Sequence, residues 1–351
     1  MKNAMKIASV LLALVFAMLS FAACGKTETP DNTTDAGTVS SADASASAET
    51  PAAVKKVGII QYISHPSLDN CYAGVEAALK ERFGDNVVIN RQIGSDTSAD
   101  TDCATYASQF AAQNYDMIVA IATPAASSAV AAAEDKDIPV VFCAVSDPMS
   151  IGLVESMEKP GFNCSGTSDV LDMAAQVKLI RAMQPDVKKI GVLYTTSEAN
   201  SITQLGLLEE AAKAYGIEII ASGIQNDADI PAAATALAAK VDCFNNFTDN
   251  KVVNNLNVLL DAANAAGIPV YGSEVEQVKN GCLASVSIDY VALGKVTGNM
   301  AVDALEGASL ADMPVKTISD ATPVVNTEVL EAFGMTLPEG YENAETVVTN
   351  K

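Results

Sequence analysis

The chain has 351 residues, 43 acidic against 21 basic side chains and a formal net charge of −22. So acidic a surface repels phosphate and argues against nucleic acid as a partner, and a single histidine leaves no room for a multi-histidine metal centre. The hydrophobic share, 49%, is ample for a packed core.

Lys2 and Lys6 precede an uncharged apolar run from Ile7 to Ala23, the n-region and h-region of a secretory signal. The run is short for a membrane span, which takes about 20 residues. It stops at Phe21-Ala22-Ala23-Cys24-Gly25, where small residues precede a cysteine. That stretch resembles the lipobox of bacterial prolipoproteins, which implies cleavage of residues 1–23, a lipid on Cys24 and attachment to the outer face of the cytoplasmic membrane. The residues that follow, to about 54, are rich in Thr, Ser, Ala and Asp with little to bury, so segment 24–54 is expected to be a flexible tether.

From Val54 the composition is that of a globular α/β protein built twice on one plan. The run Val57-Gly58-Ile59-Ile60-Gln61-Tyr62 follows two lysines and leads to a helical pattern over Leu68 to Phe83; Ile190-Gly191-Val192-Leu193-Tyr194 does the same before Ile202 to Tyr215. Strands at 116–121 and 138–142 are matched by strands at 242–247 and 268–271. Helices are expected over Ala99 to Gln113, Pro124 to Ala133, Ile230 to Lys240 and Lys251 to Ala266, between strands that alternate with them. This pattern gives an α/β fold of two doubly wound parallel sheets, with an N-terminal lobe over 55–168 and a C-terminal lobe over 169–288. Further strands at 284–287 and 323–325 flank a helical run from Tyr290 to Glu306, so 289–351 is expected to cross back between the lobes and end in a tail.

A duplicated βα plan with a crossover near 163–171 resembles the type I periplasmic binding proteins, whose ligand sits between the lobes. The segments Val57 to Tyr62, Ala120-Ile121-Ala122-Thr123-Pro124-Ala125, Pro139 to Pro148, Gly166-Thr167-Ser168-Asp169 and Asn245-Asn246-Phe247-Thr248-Asp249-Asn250 resemble the ABC transporter substrate-binding family whose best-known members bind tryptophan and related aromatic amino acids. The resemblance covers about Val54 to Leu337. It implies a monomeric binding protein without cofactor that hands a small molecule, an aromatic amino acid by preference, to the transmembrane subunits of an ABC permease.

In open parallel sheets ligands bind beyond the carboxyl ends of the strands. Those positions hold Tyr62, Ser64, His65, Thr123, Pro124, Ser146 and Asp147 in the first half, and Tyr194, Ser197, Asn200, Ser201, Thr248, Asp249, Asn250, Ser273 and Glu274 in the second. Thr167 and Ser168 join them at the crossover. Thr123, Ser201 and Asp249 stand where helices begin and would serve as N-caps or as ligand contacts. An amino acid needs hydroxyl and N–H donors for its carboxylate, a role that suits Thr123, Ser146 and Ser201. It needs an acid for its ammonium, where Asp249, Asp147 and Glu274 compete and Asp249 is favoured. Replacing Asp249 with alanine is then expected to weaken binding and spare the fold. Tyr62, Tyr194 and Phe247 are the aromatics available as walls, and Asn245 or Asn246 either faces the cleft or bonds neighbouring loops.

Catalysis finds little support. His65 lies in the loop Ile63-Ser64-His65-Pro66-Ser67, no Gly-x-Ser-x-Gly elbow or phosphate-binding loop exists, and Gly58 and Gly191 fall inside strands. A regulator of this fold would carry a basic DNA-binding segment where this chain has an export signal. An aliphatic amino acid, a purine nucleoside or a sugar remains open as the ligand, as does a sensory role beside a membrane receptor, with a hydrolase more remote. Six cysteines beyond Cys24 are read as buried thiols and not as a disulfide framework.

Overall fold

The structure, a computed structural model, describes residues 53–318 and 322–350. The signal segment 1–23, Cys24 and the tether as far as residue 52 lie outside the described residues. Among the described residues no helix is long and apolar enough to cross a membrane.

Lobe 1 begins with β1 (Lys55–Gln61), α1 (Pro66–Phe83), β2 (Val87–Ile93) and α2 (Ala99–Ala112). It continues through β3 (Met117–Ile121), α3 (Thr123–Ala133), β4 (Val140–Cys143) and β5 (Cys164–Ser168). These strands pair in parallel in the order β5-β4-β3-β1-β2. The inner strands are unbroken apolar runs because helices cover both faces of the sheet. Pro66 and Pro124 fall in the first turns of α1 and α3, where a missing N–H costs nothing. Gly58 is glycine for space: a Cβ there would lie 2.4 Å from the Phe110 ring, so α2 could not close on β1.

Lobe 2 repeats the plan with α4 (Met173–Met183), β6 (Lys189–Thr195), α5 (Ala199–Lys213), β7 (Glu218–Ile224), α6 (Ile230–Ala238) and β8 (Cys243–Asn245). Then come α7 (Asn250–Asn254), α8 (Leu256–Ala266), β9 (Val270–Tyr271), α9 (Val275–Lys279) and β10 (Ala284–Ser287). The sheet runs β7-β6-β8-β9 in parallel, and backbone bonds from Leu283 N to Val270 O (2.7 Å) and from Gly272 N to Ala284 O (3.0 Å) bring β10 alongside. The expected single helix over Lys251 to Ala266 is broken at Asn255, whose backbone (φ −113°, ψ 26°) leaves the helical region. Two successive asparagines are poor helix formers and set the break there.

The chain then returns: α10 (Tyr290–Leu305) packs along α1, and β11 (Lys316–Thr317) pairs with β5 at the edge of lobe 1. A Cβ on Gly74 would stand 2.2 Å from Val291 O and one on Gly294 2.1 Å from Cys71 O, so α1 and α10 meet backbone to backbone. Next, β12 (Thr322–Asn326) pairs antiparallel with β10, and after α11 (Thr327–Ala332) β13 (Glu345–Val347) pairs with β12 in parallel. The chain thus passes between lobes after β5, after β10 and between β11 and β12. Tyr290, Leu293 and Met300 of α10 belong to the same core as Val57, Ile118 and Phe142, whereas lobe 2 has separate cores on the two faces of its sheet. Cys71, Cys103, Cys143, Cys164, Cys243 and Cys282 are buried free thiols.

Candidate ligand-binding cleft

The strand order of lobe 1 sets out one side of the cleft. Reading along the carboxyl edge of the sheet, Asp169 follows β5, Ser146 lies beyond β4, Thr123 follows β3 and His65 lies beyond β1. At the ends of β3 and β4 the backbone leaves the sheet through Ala122 (φ 80°) and Ala144 (φ 56°). Left-handed geometry is costly for a residue with a Cβ and collects at functional sites; both alanines line the cleft. Lobe 2 faces them with Asn200 from α5, Thr248 and Asn250 at the start of α7, and Gln277 from α9. The lobes stand closed: the cavity between them is about 20 Å³, room for a water, so access for any larger solute requires them to part.

A continuous hydrogen-bond chain ties the crossover to both lobes. Tyr290 Oη donates to Asp169 Oδ2 (2.9 Å) and Ser146 Oγ to Asp169 Oδ1 (2.8 Å). Gln204 Nε2 reaches from lobe 2 to Ser146 Oγ (3.0 Å) and Thr248 Oγ1 (2.6 Å). Asn200 Nδ2 donates to Thr248 O (3.3 Å) and Glu198 Oε2 (3.1 Å). Glu198 Oε2 also accepts from Asn250 N (3.1 Å) and Asn250 Nδ2 (2.7 Å), and Asn250 Oδ1 lies 3.3 Å from His65 Nε2. The last contact assigns the tautomer: Asn250 turns its amide nitrogen to Glu198, so its oxygen accepts from His65 Nε2–H and leaves Nδ1 a bare acceptor.

Burial governs the charges here. It lowers the His65 imidazole to about 4, against the bond to Asn250, so the ring is neutral near pH 7. It raises the Asp169 carboxyl above its usual range, against the hydroxyls of Ser146 and Tyr290. The Glu198 carboxyl is pushed up to about 8, first by burial and then by the negative charge of Asp249. Glu274, the N-cap of α9, is pushed up to about 7 by burial although the N–H groups of Glu276 and Gln277 bond it. A raised carboxyl stabilises the fold fully below the unfolded value near 4.5, and the contribution disappears as pH rises through about 7. In Glu274→Gln the fall of Tm between pH 5 and 8 is therefore expected to be shallower than in the wild type; calorimetric scans at unit steps of pH measure it, and identical slopes would assign the titration elsewhere.

Of the residues expected at the site, His65, Thr123, Ser146, Asn200, Thr248 and Asn250 line the cleft together. Others are placed elsewhere for identifiable reasons. Asp249 is fully buried behind the wall, accepting from Thr195 N (2.6 Å), Thr195 Oγ1 (2.8 Å), Ser201 Oγ (2.7 Å) and Val252 N (3.0 Å). Its oxygens, and with them Ser201, are committed to holding β6, α5 and α7 together. Thr167 bonds Thr297 and Ser168 donates to Ser146 O, both inside lobe 1. Asp147 caps a turn through Ser150 N, and Ser64 is exposed beside Asp69. Ser197 is exposed, and Pro124 serves the first turn of α3. Tyr194 packs over Gly223 on the edge strand of lobe 2. Tyr62 borders a separate opening between Asp96–Thr101 and Gln225–Ala228, and Glu274 borders another beside Asp289 and Val291. Phe247 is core, Ser273 bonds Asn246 O, Asn245 Oδ1 accepts from Gln176 and Asn246 Nδ2 donates to Gln277, while Asn245 Nδ2 and Asn246 Oδ1 are buried without partners.

The cleft also uses Ser67, Leu68, Asp169, Val253, Gln277 and Tyr290, with Glu198 and Gln204 in its bonded frame. Asp169 ends the motif Gly166-Thr167-Ser168-Asp169, where alternation puts it on the face of Thr167, toward α10, and separates it only from Ser168. Tyr290 carried no local signal, since it reaches the site only because the chain returns. A larger groove of about 330 Å³ opens elsewhere on lobe 1 between Val130, Leu153 and Phe162. None of its polar side chains is both buried and unpaired, whereas the cleft holds such atoms on His65, Thr123 and Asn200.

Two parallel α/β lobes linked by several crossings, with a polar cleft between their carboxyl edges, define a solute-binding protein of the type I periplasmic fold. The chain belongs to the ABC transporter substrate binding protein family, whose model matches residues 56–347. It is 39% identical to a tyrosine-binding protein of Clostridioides difficile (strain R20291) over 284 residues, 80% of this chain and 81% of the relative. A crystal structure of an ABC domain from Streptococcus pneumonia in complex with L-Trp superposes with a TM-score of 0.80 at 35% identity, covering 84% of this chain and 99% of the other. A ligand-free, open substrate binding protein with adhesive properties from Clostridium difficile gives 0.65 at 39% identity, covering 85% and 100%. The better fit to the ligand-bound structure, despite lower identity, accords with closed lobes.

Proposed function

We propose that this chain is anchored by a lipid on Cys24 outside the cytoplasmic membrane, captures an aromatic amino acid as a monomer, performs no chemistry on it and passes it to an ABC permease. The observation that carries the reading is the pairing of opposite needs along one edge of the lobe 1 sheet. Thr123 presents a buried hydroxyl without a partner at the start of α3, where first-turn N–H groups also point outward. Asp169 presents a buried carboxylate two strands away, with Ser146 between. The carboxylate and ammonium of an α-amino acid share one carbon, so their partners must lie within a ligand's reach of each other, and two strand spacings of roughly 5 Å each set these ends roughly 10 Å apart, a gap the group fills with a hydrogen bond on either side. Thr123 is assigned to the ligand carboxylate and Asp169 to its ammonium. The relatives' ligands, tyrosine in one and tryptophan in the other, support an aromatic side chain. Contacts from both lobes favour a form closed around the ligand, with the lobes parted from the present arrangement by enough to hold it.

The test is a thermal-shift screen of the soluble body, begun at Thr50, against the amino acids, nucleosides and sugars. A rise in Tm confined to aromatic amino acids supports the reading; a rise with sugars or nucleosides alone overturns it.

A further inference from the structure

Asn200 and His65 line the same cleft, one from each lobe, and both are more than nine-tenths buried. Each carries an acceptor with no donor: Asn200 Oδ1 and His65 Nδ1. Neither can turn its donor side inward. Asn200 Nδ2 is held by Glu198 Oε2 and Thr248 O, and His65 Nε2–H is held by Asn250 Oδ1, which Glu198 orients in turn. Buried acceptors left without donors are expensive, and the protein supplies none here.

These acceptors lie apart from the pair assigned to the α-carbon groups. Along the sheet edge His65 stands beyond Thr123, on the side away from Asp169. In lobe 2, Gln204 and Thr248 intervene between Ser146 and Asn200. Leu68 and Val253 line the same cleft and offer apolar surface to a ring.

We propose that Asn200 and His65 read a hydrogen-bond donor on the distal part of the ligand's side chain, so that the cleft selects aromatic amino acids bearing a phenolic O–H or an indole N–H over phenylalanine. Glu198 acts as a positioning residue that fixes the amide of Asn200 and, through Asn250, the tautomer of His65. The proposal rests on the reading of the ligand as an aromatic amino acid.

Calorimetric titration of the soluble body with tyrosine, tryptophan and phenylalanine tests it. The wild type is expected to bind tyrosine or tryptophan about 100-fold more tightly than phenylalanine, since a site built for a polar hydrogen rejects the analogue lacking it. Asn200→Ala is expected to reduce that preference to about tenfold or less, and His65→Phe, on the opposite lobe, to reduce it likewise should the first variant fold poorly. Phenylalanine binding as tightly as both others in the wild type would overturn the proposal. So would an equal loss of all three ligands in a folded variant, which would move the ligand's ammonium to this end of the cleft. Failure of every aromatic amino acid to bind would instead remove the aromatic reading itself.

Discussion

Asp169→Asn is expected to weaken binding of tyrosine and tryptophan by about 100-fold, the scale on which losing one partner of a buried, hydrogen-bonded charge pair is felt. Asparagine preserves the shape and can still accept from Tyr290 Oη, which now donates to Asp169 Oδ2 at 2.9 Å. What it removes is the charge. The ligand's ammonium would then be desolvated with no carboxylate at the hinge to receive it. Isothermal calorimetry on wild type and variant measures the ratio, and a thermal melt without ligand checks that the variant is folded. An affinity within threefold of the wild type would remove Asp169 from the ammonium site.

Asp249→Ala is expected to act on the fold, reversing the expectation from sequence. Its carboxylate accepts bonds from Thr195 N, Thr195 Oγ1, Ser201 Oγ and Val252 N, and it is fully buried. Alanine leaves those donors unpaired where water cannot reach them. A loss of about 3–5 kcal/mol is expected, which for a body of this size lowers Tm by roughly 10 °C. Circular dichroism melts of the ligand-free protein measure it. A variant with the wild-type Tm but no affinity would return Asp249 to the ligand.

The contrast between these two aspartates shows how far the sequence could be read. Both follow strands, both sit in polar runs, and sequence favoured Asp249 because the run Asn245 to Asn250 is unusually polar for a strand end. That polarity has a structural cause: α7 starts at Asn250 and Asp249 caps it, with its second oxygen turned to β6. Position after a strand reports which edge of the sheet a residue occupies; it does not report whether the side chain points to the cleft or to the next helix. The strands at 57–62, 116–121, 138–142 and 190–194 were legible because buried parallel strands are apolar throughout. The edge strands β2 and β7 were not, since half-exposed residues such as Asn90, Arg91 and Ser222 interrupt the pattern. Tyr290 and Asp169 meet only through the chain's return, and no local window contains that fact.

The return of α10 also governs how this protein comes into being. Gly74 and Gly294 touch backbone to backbone with nearly the whole body of the chain between them, and lobe 1 lacks Tyr290, Leu293 and Met300 from its core until that helix has been made. Lobe 1 therefore cannot mature as an early, self-sufficient piece during synthesis. Contacts so distant in sequence are slow to find each other, and a chain ending after Ser287 would hold an open groove along α1 and an unfinished hydrophobic centre. The protein must reach its native form late and as a whole, with both lobes committed by the same final segments.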